Sequence, residues 1–472
     1  MAATMDESPV LARAAGETLA EQLAARFTER ITQRLLAPGA RLPSVRDCAR
    51  RHRVSASTVV GAYERLQARG LVEARPQRGF FVRETQPARA LPASRAAAPM
   101  PLPVDATALI RSMFQAQSGR PAPGMGTLPQ EWLDGELLQR ALRRLGSGDA
   151  GAWLRYGEPA GDAALREALA QRLADLGIAA SPAQIMTSIG ATHGLDIVSR
   201  TLLRPGDAVL VDEPGWSVEF ARLTAAGMRL LPVPRGADGP DLAAMEALAR
   251  EHRPRLYVTV SVLHNPTGSS LTAAAAHQVL RLAEAHDFVV VEDDTYAWLA
   301  PAHAPRLAQL DGLRRTVYVS GFSKILTPQW RVGFVAAAPA LVERFIDTKL
   351  LGSLGTPGPL EHALAWCLSQ GLLRRHAERI VARLDGARAR VVRLAEDAGC
   401  RFVTPPQGLF GWIDVGADTE RLAQNLLDEG WLTAPGLLFH PTRRPTTLMR
   451  VNFATSSEPG FWRRLRELAD AA

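Results

Sequence analysis

The sequence predicts an α/β protein in two unequal parts: a small, basic, mostly helical head and a large domain on a mostly parallel sheet. Three observations predict this. Charge is uneven: of a formal +7 over 472 residues, residues 1–83 carry fourteen arginines against eight acids, and the rest carries 41 basic and 40 acidic residues. The head repeats apolar residues every four positions, the spacing of one helix face. Beyond residue 105, helical stretches alternate with short β-branched strands at 208–212, 256–261, 288–293 and 316–320, the pattern of a layered α/β domain.

Composition narrows the class further. With 47% hydrophobic and 22% charged residues, the chain can bury large cores, which excludes wholesale disorder. At ~150 residues per domain, its length suggests about three domains. No apolar run approaches the ~18 residues of a membrane span. The first residues show neither the basic nor the apolar segment of an export signal, so a cytoplasmic protein is expected, with no membrane partner. Cys48, Cys367 and Cys400 lie too far apart for a disulfide framework or a zinc site, and no metal is expected. Only Lys324 and Lys349 are lysines among 55 basic residues, so chemistry that needs a titratable amine has two candidates.

In the head, Leu19, Leu23, Phe27, Ile31 and Leu35 stripe one helix, which Pro38-Gly39 stops. Pro43 and Ser44 open a second, with Val45, Cys48 and Ala49 inward and Arg46, Arg50 and Arg51 outward. After a break at His52-Arg53-Val54, Ser55 or Ser57 caps a third helix carrying Val59, Val60, Tyr63 and Leu66. Strands at 71–74 and 80–82 follow, joined by a turn at Gln77-Arg78-Gly79. These elements make a winged helix-turn-helix, and the local charge is the footprint expected for phosphate.

Residues 12–83 resemble the GntR family of bacterial regulators. The matching runs are Pro38-Gly39-Ala40-Arg41-Leu42-Pro43-Ser44-Val45-Arg46, Val54-Ser55-Ala56-Ser57-Thr58-Val59, Ala62-Tyr63-Glu64-Arg65-Leu66 and the wing from Arg75 to Val82. The resemblance implies binding of double-stranded promoter DNA, with the third helix in the major groove. Arg41, Arg46 and the wing's Arg78 would touch phosphate, and Ser55, Ser57 and Thr58 would face the groove. Tyr63 and Leu66 are expected in the core. Ala56 stands where relatives usually have arginine, which removes one base-reading group. Residues 84–104, rich in Pro and Ala, read as a semi-extended linker.

From 105 to 472, polar clusters sit where strands end, the place open α/β sheets put their ligands. They are Ser188-Ile189-Gly190-Ala191-Thr192-His193-Gly194, Asp212-Glu213-Pro214-Gly215-Trp216, His264-Asn265-Pro266-Thr267-Gly268, Glu292-Asp293-Asp294-Thr295-Tyr296 and Ser320-Gly321-Phe322-Ser323-Lys324, with Arg331 seven residues on. Singly these are ordinary turns and caps. In this order they meet the needs of pyridoxal 5'-phosphate: an amine for its aldehyde, a carboxylate for its ring nitrogen, donors for its phenolate, and a helix N-terminus with an arginine for its phosphate.

This stretch is similar to the fold-type I aminotransferases of class I/II, with large and small domains. By that resemblance Lys324 carries the cofactor as an imine and Asp293 faces the pyridinium nitrogen. Asn265 and Tyr296 donate to the phenolate, and Trp216 stacks on the ring. Ala191 (through its backbone), Thr192, Ser323 and Arg331 hold the phosphate. Tyr156 resembles the tyrosine that reaches the neighbouring subunit's phosphate, and Arg450 the arginine that pairs a substrate carboxylate. Trp216 and Tyr156 also fit ordinary core packing. His193 and His264 are expected to be structural, and Lys349 to lie on the surface. Gly321 replaces the Ser or Thr of many relatives, so one phosphate hydroxyl is missing.

Head, linker and aminotransferase-like domain together resemble the MocR/GabR family of regulators. That resemblance implies a homodimer in which an amine or amino-acid effector is sensed by aldimine exchange at Lys324 and DNA binding responds. The alternative is a working aminotransferase with an appended DNA-binding domain. A third reading, a DNA-binding protein that uses its large domain only to dimerise, leaves the constellation idle.

Overall fold

The computed structural model describes residues 17–32, 36, 38–75, 78–83, 122–146, 154, 156–442 and 444–471. The expected linker at 84–104, Leu35 of the helix stripe and Gln77 of the wing turn lie outside the described residues. The chain divides into two compact units, Met1–Pro121 with Leu427–Leu432, and Ala122–Leu426 with Thr433–Ala472.

In the first unit, α1 (Leu19–Thr32), α2 (Val45–His52) and α3 (Ala56–Ala68) precede a hairpin of β1 (Val72–Arg75) and β2 (Gly79–Val82). Caps define the helix starts. Ser44 accepts from the Asp47 N–H and Ser55 from the Thr58 N–H, so Ser55 rather than Ser57 caps α3. Arg53, at φ 51°, makes the left-handed step between α2 and α3. Leu23, Phe27, Cys48, Val59, Tyr63 and Leu66 meet in one core. Tyr63 is buried, donates to the Pro43 carbonyl at 2.9 Å and stands edge-on to Phe27 at 5.6 Å. Val60 is 38% exposed, because the next helical position turns ~100° from buried Val59. Residues 39–42 extend the hairpin: Leu42 N–H bonds Phe80 O and Val82 N–H bonds Ala40 O, which puts Arg41 on the wing.

The second unit is layered. Its helices are α4 (Gly135–Gly146), α5 (Ala163–Asp175), α6 (Gly190–Leu202), α7 (Ser217–Ala225), α8 (Leu242–His252), α9 (Ala273–Ala285), α10 (Leu307–Asp311), α11 (Pro339–Ser353), α12 (Gly358–Ser369), α13 (Leu372–Asp397), α14 (Thr419–Asp428) and α15 (Pro459–Asp470). Its strands are β3 (Ile185–Ser188), β4 (Ala208–Glu213), β5 (Arg229–Pro234), β6 (Leu256–Thr259), β7 (Val289–Asp293), β8 (Thr316–Gly321) and β9 (Gly333–Ala336) in one sheet, ordered β3-β9-β8-β7-β6-β4-β5. Five of these, β5-β4-β6-β7-β8, run parallel; β9 is antiparallel to β8, and β3 to β9.

Alternate residues of β4 enter opposite cores: Val209 and Val211 meet α6, α7 and α11, while Ala208 and Leu210 meet α8, α9 and α10. That double burial explains the unbroken Val-rich strands. A smaller antiparallel sheet, ordered β10-β11-β13-β12, comprises β10 (Arg401–Phe402), β11 (Phe410–Asp414), β12 (Ala434–Pro435) and β13 (Leu448–Asn452). Among the described residues, no helix is long and apolar enough to cross a membrane.

Past the end of β7 a charge is sealed in. Asp294 and Arg306 are both 0% exposed; Arg306 Nε donates to Asp294 Oδ2 at 2.5 Å and the Tyr318 hydroxyl to the same oxygen at 2.9 Å. Removing one partner leaves the other charge buried. Arg306→Met should therefore destabilise the protein by about 3–5 kcal/mol, read from denaturant unfolding.

Candidate active site and nucleic-acid interface

The parallel strands deliver their polar ends to one side. β8 ends at Gly321, and Lys324 follows it; its Nζ donates to the Gly126 carbonyl at 2.7 Å. Burial, reinforced by the Arg450 and Arg331 guanidiniums, lowers this amine to about 8. Asp293, last in β7, is 6% exposed, and Oδ1 accepts from the Thr295 N–H at 3.0 Å and from its hydroxyl. Burial, with the Glu219 and Asp294 carboxylates nearby, raises Asp293 to about 6.

Arg450, on β13 of the small sheet, is 3% exposed. Its Nη1 donates to Asn265 Oδ1 at 2.8 Å and its Nη2 to the Gly124 carbonyl at 2.5 Å, while Nε has no partner among the described residues. The guanidinium lies 4.4 Å from the Phe410 ring centroid and 5.0 Å from that of Phe439. Burial holds it down to about 10. Tyr296 is buried edge-on to Phe410, and burial pushes its hydroxyl up against the opposing pull of Arg450 and a hydrogen bond with Asn265. Trp216 immediately precedes α7, half-buried, and lines one cavity with Asp293, Thr259 and His264.

The phosphate residues predicted from the sequence gather where β3 turns into α6. Gly190 opens that helix at φ +75°, and Ala191 and Thr192 fill its first turn, whose N–H groups have no intrahelical acceptor. Arg331 Nη2 donates to the Ile189 carbonyl at 3.2 Å, which lays the guanidinium along the same turn. Ser323 is half-buried beside Lys324. Tyr156 joins none of them within its own chain and is 92% exposed.

The two histidines are held by neighbours. His193 Nδ1 accepts from the Ile189 N–H at 3.0 Å. His264 is buried and lies 2.9 Å from the Thr267 hydroxyl, and burial holds its ring well below the usual histidine range. Sequence reasoning gave Asp212 no role. Its buried carboxylate accepts from Arg235 at 3.0 Å, Tyr257 at 2.6 Å and Thr259 at 2.7 Å, with His264 Nε2 3.5 Å away, and so fixes the segment leading into Asn265. The expectation for Lys349 is corrected. It is 0% exposed, donating to Pro159 O at 2.8 Å and to Thr187 Oγ1 at 3.2 Å, because the Pro159–Asp162 turn covers this side of α11.

In the head, Ser55 Oγ lies 2.8 Å from both Ser57 Oγ and Thr58 Oγ1, a cluster of hydroxyls on the first turn of α3. Arg41, Arg46 and Arg78 are exposed, and none bonds a described residue through its side chain. By contrast, Arg65 and Arg75 are tied to Glu21 and Glu73.

A model of the gntR family of bacterial regulatory proteins matches residues 19–82, and a model of aminotransferase class I and II matches residues 124–463. The chain is also 31% identical to the HTH-type transcriptional regulator TauR of Rhodobacter capsulatus, over 95% of each. The chain belongs to the MocR/GabR family of transcriptional regulators. This MocR/GabR protein is 29% identical, over 75% of its length, to 88% of a 2-aminoadipate transaminase of Thermus thermophilus. Its structure matches LysN, the α-aminoadipate aminotransferase of that organism complexed with N-(5'-phosphopyridoxyl)-L-leucine, with TM-score 0.70 and 26% identity over 77% of this chain and 94% of that one.

The cofactor of this fold is pyridoxal 5'-phosphate, and the residues of the MocR/GabR chain fit it. Free N–H groups and a guanidinium suit a phosphate. An acid raised by burial suits a ring cation, and a lowered amine suits an aldehyde. Asp293 makes the fit measurable. Its folded value of about 6 exceeds the ordinary 3.8, so its cost to stability is absent below 3.8 and fully present above about 6. Asp293→Asn should stabilise the cofactor-free protein at pH 7 by up to about 3 kcal/mol, with the gain shrinking as pH falls between those values, and should weaken cofactor binding. Denaturant unfolding of stripped protein across that range checks it.

Proposed function

We propose that this regulator senses an amine or amino acid at Lys324 and transmits occupancy of the site to its DNA-reading head. The carrying observation is the convergence of Lys324, Asp293, Asn265 and Arg450 in a chain whose other unit exposes Arg41, Arg46 and Arg78, none bonded through its side chain to a described residue. When bound, the cofactor supplies an aldehyde with which amines exchange and a ring that withdraws electrons. Lys324, lowered to about 8, would be the amine that holds the cofactor's aldehyde. Asp293 holds the proton on the ring nitrogen. Asn265 already accepts from Arg450 through Oδ1 and donates to the Tyr296 oxygen, which would leave one amide N–H and the Tyr296 hydroxyl proton to donate to the phenolate. Trp216 covers the ring face. Ala191 N–H, Thr192, Ser323 and Arg331 hold the phosphate, and the exposed Tyr156 reaches the phosphate of the other subunit in a homodimer.

Arg450 binds the effector's carboxylate with its remaining donors, which selects an amino acid over a plain amine. Ser55, Ser57 and Thr58 face the groove, and the three arginines sit on phosphate. The protein works in the cytoplasm. Coupling requires the effector to bind one arrangement of the dimer better than another. A second reading, a working aminotransferase, is favoured by the lowered Lys324 amine beside an intact Asp293, Asn265, Tyr296 and Arg450 set.

An absorbance-monitored titration with a panel of amines, repeated with promoter DNA from beside its own gene, separates the two. A spectral change that alters DNA affinity without turnover supports the regulator; sustained conversion of amino donor and oxo acid supports the enzyme. Lys324→Ala should abolish the visible absorbance that wild type acquires with the cofactor, and an unchanged band would falsify the assignment. DNA affinity should fall with salt at a log–log slope of about −0.9 per phosphate contact, and Arg46→Ala should flatten that slope by about one contact.

A further inference from the structure

The second lysine has a use that neither the cofactor nor DNA explains. Lys349 Nζ donates to Thr187 Oγ1, which lies 3.0 Å from Thr356 Oγ1, which in turn donates to Glu361 Oε1. Lys349 is 0% and Glu361 2% exposed, so two buried opposite charges are joined through a pair of threonine hydroxyls. The ends of this chain grip opposite ends of one turn. Lys349 takes the Pro159 carbonyl at 2.8 Å, and Glu361 Oε2 accepts from the Asp162 N–H at 2.8 Å. Between them, the Thr187 N–H holds the Ala160 carbonyl at 2.9 Å, and Gly161, at φ +105°, packs where any Cβ would collide with Thr187. The turn is thus fixed from four directions, and Tyr156 lies three residues before it, 92% exposed.

We propose that Lys349 and Glu361 are positioning residues, the two charged ends of a buried clamp that aims Tyr156 at the cofactor phosphate of the other subunit. This rests on the cofactor reading above. The clamp supplies what an exposed tyrosine cannot: an unsupported loop would have to lose conformational entropy on each binding event. Burial lowers the Lys349 amine only to about 8, with Glu361 pulling the other way, so at neutral pH it remains a charged donor.

The test uses the full chain and 4'-deoxypyridoxine 5'-phosphate, which keeps the ring and phosphate but lacks the aldehyde that Lys324 captures. Affinity is measured by calorimetry for wild type, Lys349→Met, Thr356→Val, Tyr156→Phe and the Lys349→Met/Tyr156→Phe double variant. Each single variant should weaken binding about tenfold, the scale of one lost charge-assisted hydrogen bond. The double variant should be no weaker than Tyr156→Phe alone, because the clamp acts through that tyrosine. Thr356→Val keeps both charges and the volume, so it carries the same expectation if Lys349→Met fails to fold. Binding by the clamp variants within about twofold of wild type, or losses that multiply in the double variant, would overturn the clamp alone. Failure of wild type to bind the analogue would overturn the cofactor site and the clamp with it.

Discussion

The large unit depends on one close backbone approach, where β8 and β9 pass the start of α6. A Cβ on Gly333 would come within 2.5 Å of the Gly190 carbonyl carbon, and one on Gly321 within 3.3 Å of the Ala191 nitrogen. At 333 a side chain would force the sheet away from the helix, and at 321 it would be tight; with this approach come Lys324, three residues beyond Gly321, and Arg331, two before Gly333. A Cβ on Gly190 would in turn sit 2.8 Å from Arg331 Nη2. Amine, guanidinium and free helix N–H groups therefore share one small volume because the backbone has no side chains to keep them apart.

The charges gathered around that volume are set against themselves. Lys324 and Arg450 are both lowered and Asp293 is raised, each chiefly by burial. Every shift moves a group towards neutrality, which is the signature of charge held without its full complement. The cofactor's ring cation would supply part of that complement and, in the proposed reading, an effector's carboxylate another part. Binding energy is thereby concentrated where partners are missing, and a site of this kind responds strongly to being filled. That is the property a sensor needs, because a ligand shifts an equilibrium only by its differential affinity for two states.

The fold and the identity of the cofactor were legible because both are carried by short, ordered motifs at strand ends and by a periodic stripe in α1. What was not legible depended on contacts between distant segments. Nothing local marks Asp212 as the acceptor of Arg235, Tyr257 and Thr259. The choice of Ser55 over Ser57 as the cap of α3 turns on backbone angles that a Ser-Ala-Ser run leaves undetermined. Lys349 was misread because its helix shows charged residues on several faces. The partner that buries it, the turn at Pro159, is 190 residues away in sequence.

The two lysines now stand together. In a chain whose other basic residues are all arginines, both amines are drawn into protein and both are lowered to about 8. They are kept apart from arginine for different reasons. At 324 the group must lose its proton to capture a carbonyl, and a guanidinium does not do so in this pH range. At 349 no proton need be lost. A compact ammonium fits between a carbonyl and a hydroxyl at 0% exposure, where a planar guanidinium would overfill the site and leave N–H groups unbonded. One position is held by reactivity and the other by shape, and in the proposed dimer both act on the same cofactor, Lys324 on its aldehyde end and Lys349, through Tyr156, on its phosphate.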